Sequence, residues 1–121
     1  APFIGSKSLE YAKKSLRIDS LNVIGIIQMG NIAFHTPSLL GGSKQEALMY
    51  YLKALRIMER DPELKVHNWN YLHVLVCIIN TCIELKQYET ARKYCLKALS
   101  FEPGFVWVKQ TLYPQVLKKL S

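Results

Sequence analysis

Apolar side chains recur along this chain at intervals of three and four residues, and short groups of turn-forming residues separate the apolar stretches. The interval matches the 3.6-residue period of an α-helix and differs from the strict alternation of a strand. Glycine, proline, aspartate and serine mark the breaks. The pattern predicts an all-α fold with about six helices, over residues 7–18, 22–35, 44–60, 68–85, 88–101 and 105–119.

Capping residues mark the start of one helix. Ser43 and Glu46 stand three positions apart at the beginning of an amphipathic stretch. In such a capping box the serine hydroxyl accepts hydrogen bonds from backbone N–H groups of the first turn, and the glutamate reaches back to the serine N–H. The sequence therefore predicts that a helix begins at Lys44.

Two segments of the chain are similar to each other. Residues 47–55 align with residues 91–99, and both segments begin with alanine and end in Lys-Ala-Leu. The small residues Ser15, Ala54 and Ala98 are 39 and 44 positions apart. Because small residues let neighbouring helices approach closely, this repetition predicts helix pairs that stack on one another.

The chain resembles the tetratricopeptide repeat (TPR) family, whose unit is an antiparallel helix pair of about 34 residues. Within residues 72–105 the family's patterned positions are taken by Leu75, Ile78, Cys82, Leu85, Tyr88, Ala91, Cys95, Ala98 and Pro103. An earlier unit has Met29, Gly30, Ala47, Tyr51 and Ala54 at such positions. Its inter-helix loop is longer than usual by about five residues. Ile79 stands where the family prefers a small residue.

The resemblance implies a short right-handed α-solenoid of antiparallel helix pairs within one domain. It divides the chain into a half repeat at 1–20, repeats at 23–60 and 72–105, and a capping helix at 106–121. Residues 2–7 look like a shortened copy of residues 37–44. We therefore expect the chain to be part of a longer protein.

In this family the first helix of each unit lines a concave groove that binds a peptide or a partner helix. Carried onto this sequence, the groove positions are Ile24, Ile27, Asn31, Phe34, His35, His73, Val76, Asn80, Ile83, Glu84 and Trp107. Asn31 and Asn80 fall where the family often uses asparagine to hydrogen-bond a peptide backbone, since an amide can donate and accept at once. The alternative is that both amides only tie neighbouring helices together.

The formal net charge of +7 would suit an acidic partner, a membrane surface or nucleic acid. However, the basic residues gather at helical spacing around Lys13, Lys53 and Arg92, as expected of three solvated helix faces. Aromatic residues do not alternate with them along one face. We therefore expect no nucleic-acid partner.

Three cysteines, Cys77, Cys82 and Cys95, lie in apolar helical stretches. An odd number does not suit a disulfide framework, so the sequence slightly favours a reducing, cytoplasmic compartment, with periplasmic or exported locations as alternatives. No stretch reaches the roughly 18 uninterrupted apolar residues of a membrane span. We expect a soluble protein.

Motifs of catalysis are missing from the sequence. Gly41 to Lys44 opens a helix, but the preceding strand and the spacing of a phosphate-binding loop are absent. His73 and Cys77 share a helix face at a spacing of four, yet two ligands do not complete a zinc site and the spacing suggests no third. We expect no enzyme, no cofactor and no metal.

These observations favour a non-catalytic scaffold that binds a protein or peptide. A second hypothesis is a carrier of an apolar small molecule or lipid, because the predicted inner helices 22–35 and 68–85 are unusually apolar. A third is a self-associating structural segment that forms homo-oligomers, because an unpaired helix would leave apolar surface open.

Overall fold

The computed structural model describes residues 23–60 and 69–121, where all regular structure is helical. Five α-helices occur there: α1 (Val23–His35), α2 (Lys44–Arg60), α3 (Trp69–Glu84), α4 (Tyr88–Phe101) and α5 (Tyr113–Leu120). The bounds of α1 to α4 agree with the predicted ones to within one residue, and the all-α class is confirmed. The predicted helix 7–18 and the half repeat 1–20 lie outside the described residues.

The chain divides into two compact units, residues 1–67 and 68–121. In the first unit, α1 and α2 pack against each other as a helical hairpin. A short 3-10 turn, Ser38–Leu40, lies in the loop between them. The core of this hairpin includes Ile26, Met29, Ala47, Tyr51, Ala54, Leu55 and Met58.

A close contact between α1 and α2 is made at Gly30. A Cβ atom built at Gly30 would lie 2.7 Å from Cε1 of the Tyr51 ring, which is too short for two carbon atoms. The buried ring therefore fills the notch that the absent side chain leaves in α1. The Tyr51 hydroxyl donates a hydrogen bond to Oδ1 of Asn31 at 2.5 Å, which fixes the polar end of the ring.

Ser43 caps the start of α2, as predicted. The Glu46 N–H donates to Oγ of Ser43 at 3.1 Å. The other half of the predicted capping box is wrong, because the Ser43 N–H donates instead to the Ala33 carbonyl near the end of α1. Glu46 interacts with Tyr50: burial, and then the charge of Glu46 and a hydrogen bond with it, raise the pKa of the Tyr50 hydroxyl.

Removal of this cap tests its contribution to stability. We expect Ser43→Ala to lower the free energy of unfolding by about 1 kcal/mol, because the Glu46 N–H loses its acceptor. Denaturant titration followed by circular dichroism measures the change. Gln45→Ala is the control, since Gln45 is exposed in the same turn and its loss should change stability by less than about 0.5 kcal/mol. Equal losses in the two variants would contradict the capping role.

In the second unit, α3 and α4 form another helical hairpin with a three-residue connection. A Schellman motif ends α3: the Gln87 N–H donates to the Cys82 carbonyl at 2.8 Å, and the Lys86 N–H to the Ile83 carbonyl at 3.0 Å. Lys86 has a φ of +61°, in the left-handed region. This motif turns the chain within a few residues, so α4 can begin at Tyr88.

The final helical stretch, predicted as a regular helix over 105–119, contains a π-helical segment at Val108–Leu112. The Tyr113 N–H donates to the Val108 carbonyl, five residues back instead of four. Pro114 follows directly, and in a regular α-helix its ring would clash with the carbonyl four residues earlier. A widened turn gives that ring room, which explains how the helix continues through a proline.

Candidate functional site

Four of the five predicted partner-binding residues of α1 reach the surface of the first unit. Ile24 is 48% exposed, His35 is exposed, and Asn31 and Phe34 are half-buried. The fifth, Ile27, is only 5% exposed. Ile27 thus contributes to the core of its unit, and its contribution to any binding surface would be indirect.

Phe34 is held in place by two neighbours. Nζ of Lys44 lies 3.7 Å from the centre of the Phe34 ring and donates a hydrogen bond to the Phe34 carbonyl at 2.5 Å. The His35 ring meets the Phe34 ring edge-on, with 4.9 Å between the ring centres. Together these contacts fix an aromatic surface beside a positive charge. Lys44 is not among the residues predicted for the site.

Asn31 takes part in the contact between α1 and α2. Its Oδ1 accepts the hydrogen bond of the Tyr51 hydroxyl. For Asn31 this supports the alternative stated above, that the amide ties neighbouring helices together. One of the two lone pairs of this oxygen therefore serves the hairpin, and the NH2 group of Asn31 makes no hydrogen bond within the described residues.

In the second unit, five further residues predicted to bind a partner lie along one side of α3. His73 and Glu84 are exposed at the two ends of this side, and Val76, Asn80 and Ile83 are half-buried between them. Within the described residues the side-chain amide of Asn80 has no hydrogen-bond partner. Asn80 differs in this respect from Asn31, whose carbonyl oxygen already accepts a hydrogen bond from the Tyr51 hydroxyl.

The two hairpins repeat an order of buried and exposed positions. Residues of α1 and α3 correspond at an offset of 49, which pairs Ile24 with His73, Asn31 with Asn80 and His35 with Glu84. In each helix the first and last of these positions are exposed and the asparagine is half-buried. Each hairpin thus presents, within its own unit, the same kind of face on its first helix.

His73 and Cys77 lie together on α3, as their spacing predicts. Sγ of Cys77 is 3.5 Å from Nε2 of His73, and the thiol is half-buried. Cys82 and Cys95 are fully buried. Burial raises the pKa of Cys82 to about 11, and burial together with the charge of Cys82 raises that of Cys95 to about 12.

Trp107 is 51% exposed and its neighbour Val106 is 58% exposed. Both precede the π-helical segment, which contacts α3 and α4. They give the second unit an apolar, solvent-accessible pair of side chains. Trp107 was included in the predicted site, whereas Val106 was not.

Two kinds of site do not occur in the part of the chain that the structure describes. No group of three or more histidine, cysteine, aspartate or glutamate side chains is arranged to hold a metal ion over residues 23–60 and 69–121. In the same ranges, no helix combines the length and the apolar character that crossing a membrane requires.

Comparison with known proteins adds no assignment. No known protein-family profile matches the chain, and no curated protein matches it at a significant level. The similarity to TPR proteins therefore rests on the residue pattern, and membership of that family stays a prediction.

Proposed function

We propose that this chain is a non-catalytic scaffold built from TPR-type helical hairpins, and that it binds a peptide or a partner helix on the exposed sides of its first helices. The observation that carries the proposal is the Asn80 face, defined as His73, Val76, Asn80, Ile83 and Glu84. There, an amide without a partner in the described residues lies between half-buried apolar side chains.

The chemistry of the Asn80 face suits a peptide main chain. One amide can accept a hydrogen bond from a peptide N–H and donate one to a peptide carbonyl. Val76 and Ile83 lie one turn to either side of Asn80 and can cover an apolar side chain of the partner. His73 and Glu84 add polar groups at the two ends, so the face has an apolar middle and a polar rim.

The two asparagines differ in what they do inside their own units. The carbonyl oxygen of Asn31 accepts a hydrogen bond from the Tyr51 hydroxyl, which stabilises the first hairpin. Asn80 makes no such bond in the described residues. Substitution of the two residues should therefore separate a loss of stability from a loss of binding.

Asn80→Ala is expected to weaken partner binding while leaving the fold intact. Peptides selected on the full chain from a randomised display library would serve as ligands. Loss of two hydrogen bonds at a partly desolvated site should raise the Kd by about tenfold or more. The melting temperature should stay nearly unchanged. Isothermal titration calorimetry and thermal denaturation measure the two quantities.

Asn31→Ala is the matched control. We expect it to lower the free energy of unfolding by about 1–2 kcal/mol, because the buried Tyr51 hydroxyl loses this acceptor. If selected peptides bind Asn80→Ala with the wild-type Kd, or if that variant loses stability and keeps binding, Asn80 is a structural residue and the proposed face is wrong. Failure to select any peptide on the full chain would also count against the proposal.

A further inference from the structure

The contact between Cys77 and His73 puts a nucleophile beside a base. Sγ of Cys77 and Nε2 of His73 are 3.5 Å apart, within the range of a hydrogen bond to sulfur. A thiolate is the reactive form of cysteine, and an adjacent imidazole can take the thiol proton and stabilise the resulting charge. His73 is exposed and Cys77 is half-buried, so small molecules in solution can reach the pair.

The other two cysteines of the chain are shielded from solvent. Cys82 and Cys95 are fully buried, and burial keeps both thiols protonated, with pKa values of about 11 and about 12. The three thiols stand within a stretch of nineteen residues of one compact unit. The same molecule thus contains two internal controls for the behaviour of Cys77.

We propose that Cys77, paired with His73, is a site of reversible thiol modification that reacts with small aliphatic disulfides. His73 accepts the proton of the Cys77 thiol through Nε2. The Cys77 thiolate then attacks one sulfur of the disulfide, a bond forms between that sulfur and Sγ, and the original sulfur–sulfur bond breaks. The departing thiolate takes up the proton from His73, so the products are a mixed disulfide on Cys77 and one free small thiol.

His73 also belongs to the Asn80 face, but the experiments below use the chain without a partner, so their outcome does not depend on the proposed partner binding. The first experiment uses the wild-type full chain, freshly reduced and freed of reductant. Oxidised glutathione at neutral pH is the probe, and peptide mapping by mass spectrometry follows each cysteine over time. We expect Cys77 to react at least about tenfold faster than Cys82 or Cys95, and dithiothreitol to reverse the adduct. Equal rates in the folded chain, or a faster reaction at a buried cysteine, would overturn the proposal.

A second experiment tests the part played by His73. His73→Gln keeps a polar side chain of similar length but removes the base. Circular dichroism confirms that the variant is folded, and the rate at Cys77 should fall about five- to tenfold at neutral pH. At a pH high enough to ionise the thiol unaided, the variant and the wild type should react equally fast. An unchanged rate at neutral pH would show that His73 does not activate Cys77. Should the variant fail to fold, the wild-type mapping still decides whether Cys77 is the reactive thiol.

Discussion

Gly30→Ile is expected to destabilise the first hairpin by about 3 kcal/mol or more, and its combination with Tyr51→Cys to cost less than the sum of the two separate losses. A Cβ atom at position 30 already lies 2.7 Å from the Tyr51 ring, so the larger side chain cannot fit while the ring stays. The ring cannot move cheaply, because it is buried and its hydroxyl is bonded to Asn31.

The second hairpin suggests the compensating change. The residue corresponding to Gly30 at the offset of 49 is Ile79, and the alignment of residues 47–55 with 91–99 pairs Tyr51 with Cys95. Ile79 and Cys95 are both fully buried. One hairpin thus has a small residue on its first helix and a large one on its second, and the other hairpin has the reverse. Close packing requires that the two side chains together fill the space between the helices. A small residue with a large one satisfies this requirement whichever helix carries the large one.

A double-mutant cycle on the full chain measures the coupling between the two positions. Tyr51→Cys alone should cost about 3–5 kcal/mol, because it leaves a cavity opposite Gly30. The double variant should be more stable than the sum of the two losses by at least about 1 kcal/mol. Gly30→Ile with Tyr51→Phe is the control, since the ring remains and no rescue is expected. Additive losses in both double variants would show that the two side chains do not share one space.

Much of the helical framework could be predicted because its signals are local. The 3.6-residue spacing and the turn residues place α1 to α4 within one residue of their observed bounds. Ser43 caps α2 by accepting a hydrogen bond from the Glu46 N–H, three residues later, and such a spacing is visible in the sequence. Such contacts depend on neighbours in the chain and not on the rest of the fold.

Contacts between residues that are distant in the chain could not be predicted from local sequence patterns. Glu46 does not complete the capping box, because the loop folds back and the Ala33 carbonyl takes the Ser43 N–H. For the same reason the cation over Phe34, ten residues away at Lys44, was missed. The π-helical segment is a different case, since Pro114 inside a predicted helix was a signal that a regular helix could not continue there.

The spacing of the sequence selects positions for the candidate site but does not show what each residue contacts. The spacing of the predicted residues on α1 and α3 does not reveal that Ile27 is buried. Nor does it reveal that Asn31 is bonded to Tyr51 whereas Asn80 has no partner in the described residues. Equivalent positions in the two hairpins carry the same residue type, yet the residues packed around them decide whether its amide is bonded within the fold.

The loop between α1 and α2 provides the second large effect, at Gly42. A Cβ atom there would lie 1.7 Å from the Thr36 carbonyl oxygen, which is far inside the contact distance of the two atoms. The Gly42 N–H also donates to the Pro37 carbonyl at 3.1 Å. Leu39 and Leu40 are 97% and 58% exposed at the tip, so backbone contacts and not apolar burial hold this loop. We expect Gly42→Ala to lower the free energy of unfolding by about 3 kcal/mol, because the loop must open to admit the methyl group.

Gly41→Ala is the matched control for this prediction, one residue earlier in the same loop. Gly41 has a φ of +94°, but a Cβ atom there would meet nothing within 4 Å. Its substitution should therefore cost only the backbone strain, about 1–2 kcal/mol. Denaturant unfolding of both variants gives the two losses. A larger loss for Gly41→Ala would mean that left-handed backbone strain, and not the contact between Gly42 and Thr36, determines how this loop joins the two helices. If Gly42→Ala shows the larger loss, the contact between Gly42 and Thr36 determines the conformation of the loop. At this contact the loop backbone lies against the end of α1, and the Ser43 N–H then reaches the Ala33 carbonyl.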